Sequence, residues 1–85
     1  MENYRHTIVS GAPVSEIKAY LKSISGKKKG LTYSSNGWGV IIEKTWVERI
    51  GSLSLQRTEI TFFGREELVH HQLMAFRLKF LSAGG

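Results

Sequence analysis

Toward the end of the chain, apolar residues recur at intervals that only a helix brings together. Val69, Leu73, Phe76 and Phe80 follow one another at +4, +3 and +4, the spacing that stacks side chains into one seam. At about 100° per residue, Met74, Leu78 and Leu81 fall on nearly the opposite side. The pattern predicts one long helix from Arg65 to Ala83, with Glu66 and Glu67 in its first turn and Arg77 and Lys79 near its last, as the macrodipole favours. One apolar side can cover a sheet. The other calls for a second helix, a second subunit or a ligand.

Upstream, Val14, Ile17, Leu21 and Ile24 repeat at +3, +4 and +3, which predicts an amphipathic helix from Pro13 to Ser25 with Gly26 as its left-handed stop. The residues before it, Tyr4 to Ser10, favour a strand. Lys27, Lys28 and Lys29, set between Gly26 and Gly30, predict a solvated connection or a loop that contacts phosphate. Asn36-Gly37 predicts a two-residue type I′ hairpin. Counting outward then places Ser35 opposite Trp38, Tyr33 opposite Val40 and Leu31 opposite Ile42, all on one face.

The strand from Trp38 is expected to end near Trp46, with Lys44 an exception on its inward side and Val47 to Ser52 as a turn. Leu53, Leu55, Ile60 and Phe62 look strand-like, but their parity changes between Leu55 and Ile60. Either two short strands meet near Gln56 to Thr58 or a single strand is bulged or bent there, and the lack of Gly, Asn or Pro for a tight turn favours the single strand. The expected fold is therefore a single α+β domain over residues 1–85 in two layers. An antiparallel sheet of four to five strands carries two helices on one face, in the order β-α-β-β-β(-β)-α.

Composition narrows the partners more than the chemistry. The 85 residues carry a net charge of +5, no cysteine and no Asp, and 41% are hydrophobic. Disulfides, thiolate metal sites, EF-hand loops and Asp-containing triads are thus excluded. The apolar content suffices for a core. No apolar run approaches the ~18 residues of a membrane span and no secretory h-region is evident, so a cytoplasmic protein without membrane association is expected.

His70 and His71 point about 100° apart on a helix and cannot share one ion from it. No Gly-x-Ser-x-Gly elbow is present, and no spacing singles out an acid–base pair among the seven Glu. No catalytic residue, metal site or cofactor is expected. The reading is a small non-enzymatic interaction module that self-associates through the last helix, with Met74, Leu78, Leu81 and His71 at the interface, as a homodimer or with another protein. The alternative is a nucleic-acid-binding domain that uses the basic loop 27–29 and the exposed sheet face, with Lys27, Lys28, Lys29, Arg49 and Arg57 as the anion contacts.

Two resemblances bear on this. The closing Gly84-Gly85 resembles the diglycine tail of sulfur-carrier and ubiquitin-like proteins, which is activated at its carboxylate, and makes a sulfur-carrier-like protein a further alternative. In those proteins a terminal strand of a β-grasp fold leads into the tail. The element order, with Arg57 to Gly64 followed by Phe76-Arg77-Leu78-Lys79-Phe80-Leu81-Ser82-Ala83-Gly84-Gly85, resembles the small TATA-binding-protein-like β-α-β(4)-α domains. One such domain follows a homologue of the molybdopterin-synthase small subunit. That resemblance implies an accessory domain of unassigned role.

Overall fold

A computed structural model of the chain describes residues 4–81. The elements run β1 (Tyr4–Ser10), α1 (Val14–Ile24), β2 (Lys27–Lys29), β3 (Thr32–Ser35), β4 (Trp38–Ile50), β5 (Leu53–Gly64) and α2 (Glu66–Lys79). The strands form one five-stranded sheet in the order β1-β5-β4-β3-β2, and every neighbouring pair is antiparallel. This is the two-layer α+β architecture expected from the sequence.

The core lies between the sheet and the helices. Ile17 and Leu21 of α1 and Val69, Leu73 and Phe76 of α2 bury against Tyr33, Val40, Ile42, Ile60 and Phe62. Phe76 meets Phe62 edge-on at 5.7 Å, and Tyr20 of α1 meets Phe76 and Phe80 edge-on at 6.1 and 5.6 Å. Edge-to-face aromatic packing of this kind ties sheet, α1 and α2 into one unit. The start of α2 is also held directly, because the Arg65 N–H donates to the Gly37 carbonyl at 2.9 Å.

The hairpin register is as counted from Asn36-Gly37, with Ser35 opposite Trp38 and Tyr33 opposite Val40. The turn is not type I′, however. Gly37 alone takes a positive φ, +84°, while Asn36 does not, and that order of signs belongs to a type II turn. Leu31 sits opposite Ile42, whose N–H donates to its carbonyl. Its side chain is nevertheless exposed, because Gly30 (φ +61°) and Leu31 form the turn between β2 and β3. Gly26 is not left-handed, and α1 instead ends on an extended Ser25. The last helix ends at Lys79 rather than Ala83, and Ala83 lies outside the described residues.

Three further corrections concern the strands. Lys27, Lys28 and Lys29 are not a loop but a short edge strand paired with Ser34, Tyr33 and Thr32. In addition, β4 does not stop at Trp46. It runs to Ile50 and turns through Gly51-Ser52, with Ile50 opposite Leu53. The bulge lies in β4, where Glu43 has no partner between Ile42 and Lys44, and not in β5. Glu43 is the extra residue that swings Lys44 and Trp46 onto the face opposite the helices. Leu53 and Leu55 lie on that outer face, whereas Thr58, Ile60 and Phe62 face the helices. The parity change in β5 is thus a change of environment along an unbroken strand.

β3 pairs with β4 only as far as Ile41, and β1 pairs with β5 only from Thr58 onward. Beyond those points β4 and β5 continue as a two-stranded ribbon, Trp46–Ile50 against Leu53–Arg57. This arm gives the described residues their elongated outline of 46 × 21 × 19 Å.

Candidate functional site

The outer face of α2 is the most pronounced exposed apolar feature of the helical layer. Once Val69, Leu73 and Phe76 are turned onto the sheet, the 3.6-residue repeat leaves Met74 and Leu78 facing solvent. Met74, Leu78 and Leu81 are 62%, 66% and 74% exposed, and His71 is exposed beside them. The four residues expected at an interface therefore share one surface stripe. That stripe runs from His71 to Leu81, just past the end of α2, and in sequence Gly84-Gly85 follow three residues later. The two glycines lie outside the described residues. Among the described residues the last element is the helix α2, and the sheet is antiparallel throughout. A β-grasp fold would place a terminal strand there instead.

The histidines are surface groups. His70 Nε2 lies 3.5 Å from a Glu66 carboxylate oxygen, one helical turn away, and its ring tilts against Tyr4 at 5.1 Å. Among the described residues no three His, Cys, Asp or Glu side chains cluster in a way that could hold a metal ion. A cleft of about 90 Å³ opens between the end of β1 and the end of α2, lined by Ile8, Val9, Ser10, Phe76, Arg77, Phe80 and Leu81. It is well below the several hundred Å³ of a typical small-molecule site and contains no histidine.

The five expected anion contacts do not converge. Lys27 and Lys29 pair with Ser34 and Thr32 on the outer sheet face, while Lys28 stands over the Tyr33 ring at 5.6 Å on the helix side. Arg49 and Arg57 belong to the arm and project from its opposite faces. Arg57 is also engaged, since its Nε donates to Glu48 at 3.0 Å. The outer sheet face does carry two cation–aromatic pairs, Arg5 over Phe63 at 5.8 Å and Lys44 over Trp46 at 5.5 Å. Sequence reasoning missed Arg5, Phe63 and the exposed backbone edge of the arm. The signal for the arm was Gly51-Ser52, a Gly-first pair that a two-residue type II′ hairpin favours.

A family model described as archaeal MoaD-like protein matches residues 5–85, a span that includes Gly84-Gly85. The family found is MoaD-like and not one of the TATA-binding-protein-like fold. No curated protein and no solved structure matches the chain.

Proposed function

The chain belongs to the archaeal MoaD-like protein family, and on that footing we propose that it is a small non-enzymatic interaction module of the sulfur-carrier type. The outer face of α2 docks on a protein partner, and the chemistry belongs to Gly84-Gly85. The observation that carries this reading is the exposed Met74–Leu78–Leu81 stripe, in a chain whose family match takes in the diglycine. A carrier needs no active site of its own. It needs a surface that an activating enzyme can recognise and a carboxylate within reach of that surface.

The test is sulfur loading. Purified protein is incubated with ATP, a carboxylate-activating enzyme of this class and a sulfide donor, and the C-terminal peptide is weighed for replacement of one oxygen by sulfur. Loading is expected for the wild type, is lost on removal of Gly85 and is strongly reduced in Leu78→Glu. A wild-type chain that never exchanges oxygen for sulfur removes the carrier role.

A second reading keeps the docking face and drops the tail chemistry. In it α2 packs against α2 of a second copy, and the helix's own charges favour this. Glu66 and Glu67 lie at one end, and Arg77 and Lys79 at the other, so antiparallel helices bring unlike ends together. Sedimentation of wild type and Leu78→Glu at ~100 μM, well above a micromolar Kd, separates this reading from the first. Nucleic-acid binding stands as a proposal with less support, because its cations are dispersed. A steep loss of affinity with rising salt would be its signature.

A further inference from the structure

The arm of β4 and β5 has an open edge, and the sequence along that edge is self-complementary. Among the described residues nothing pairs with β4 beyond Ile41 on the side away from β5, apart from the Leu31 carbonyl that takes the Ile42 N–H. From Glu43 to Ile50 every second residue therefore directs its backbone N–H and C=O to solvent, a ready template for another strand. A two-stranded ribbon alone is marginal in water. This one also exposes Trp46, Val47, Ile50 and Leu53.

The residues of this edge read Ile42-Glu43-Lys44-Thr45-Trp46-Val47-Glu48-Arg49-Ile50. If a second copy runs antiparallel along it with Trp46 opposite Trp46, then Lys44 meets Glu48, Glu43 meets Arg49 and Thr45 meets Val47. Each unlike pair occurs twice, once in each direction. Antiparallel pairs alternate between hydrogen-bonded and non-hydrogen-bonded types, so an exact twofold axis must pass through a residue facing its own copy. The neighbouring symmetric registers centre on Thr45 or on Val47. Centring on Thr45 sets Lys44 against Trp46 and Glu43 against Val47, and centring on Val47 sets Lys44 against Ile50 and Glu48 against Trp46. Neither forms an unlike-charge pair. Lys44, Trp46 and Glu48 share the outer face, and a twofold axis perpendicular to the sheet keeps them on it in both copies. Glu48 already accepts from Arg57, and its carboxylate has a second oxygen for the facing Lys44.

We propose that two copies of this chain associate through the Glu43–Arg49 edge of β4, with Trp46 on the twofold axis and Lys44 paired to Glu48 across it. The two arms then form a four-stranded ribbon, β5-β4-β4-β5, that neither copy can build alone. The Leu31 carbonyl marks where the incoming strand must stop. This assignment is independent of α2, which stays free for the partner proposed above.

Charge reversal tests the register. At ~100 μM the wild type is expected to sediment at twice the 9.6 kDa chain mass. Lys44→Glu alone and Glu48→Lys alone are each expected to be monomeric, since each brings like charges together at both pairs. An equimolar mixture of the two variants is expected to re-form dimers, because the carboxylates of one then face the ammonium groups of the other. Leu78→Glu is expected to leave the dimer intact. Wild-type amides from Lys44 to Glu48 are expected to exchange more slowly as concentration rises, a reading that needs no variant to fold. A monomeric wild type, a dimer that survives Lys44→Glu, a mixture that stays monomeric, a dimer broken by Leu78→Glu, or exchange independent of concentration would each overturn the assignment. Failure of sulfur loading would leave it untouched.

Discussion

The ring of Phe63 on β5 occupies the volume that a side chain on Gly39, its partner on β4, would need. A Cβ built on Gly39 would lie 2.4 Å from Phe63 Cζ. The aromatic ring thus replaces the missing side chain and covers the central strands on the face away from the helices. Arg5 stacks on it in turn.

Gly39→Ala is therefore expected to cost about 1–3 kcal/mol, the usual range for overpacking, by driving Phe63 from its rotamer. Denaturant unfolding of Gly39→Ala, Phe63→Leu and the double variant checks the cause. The double variant should lose clearly less than the sum of the two single losses, as coupled neighbours do.

Gly64→Ala should be worse. Gly64 has a φ of +128°, and a Cβ there would lie 2.4 Å from the Gly37 carbonyl oxygen and 2.8 Å from Trp38 Cα, backbone atoms that cannot rotate aside. Strain and overlap together put the loss at about 3 kcal/mol or more, and thermal unfolding followed by circular dichroism would measure it. Because the Arg65 N–H is bonded to that same Gly37 carbonyl, the start of α2 should lose exchange protection first.

Thr58 offers the opposite sign. Its side chain is 0% exposed and its hydroxyl has no hydrogen-bond partner, so the fold holds a buried polar atom without compensation. Thr58→Val keeps the shape and removes the unmet group. It is expected to stabilise by up to about 1 kcal/mol, which for a domain of this size raises Tm by roughly 4–8 °C.

At alkaline pH, Tyr20 should be a source of instability. Desolvation against the helices raises its phenol above the ordinary value of 10.0, so the folded chain holds its proton more tightly than the unfolded chain. That contribution is fully present below pH 10 and is lost as pH rises through the folded-state pKa. Tyr20→Phe should therefore unfold with a shallower dependence on pH above 10, measured as the denaturant midpoint against pH.

The parts of the fold legible in the sequence are those where burial and periodicity coincide. The stripes Val14–Ile24 and Val69–Phe80 gave two helices, their sheet-facing sides and the exposed Met74–Leu78–Leu81 face, and Asn36-Gly37 gave a hairpin register correct to the residue. The arm was not legible, because alternation reports burial and its residues are exposed on both faces. Glu48, Arg49 and Gly51 consequently looked like breakers, and Lys44 like an exception on the inward side. A bulge at Glu43 and a change of environment within β5 produce the same apparent parity jump, and only pairing tells them apart. The strand Lys27–Lys29 escaped notice for a related reason: lysine has little strand preference, and its pairing with β3 is a tertiary effect.

Those three lysines decide how far such a sheet can grow. A copy approaching the β2 margin edge to edge would have to seat its own chain against a row of like charges, so extension on that side is discouraged and a pair joined elsewhere stays a pair. Replacing Lys27, Lys28 and Lys29 with threonine would remove that barrier, and the protein would be expected to pass from closed species to open-ended fibrous assemblies as its concentration rises.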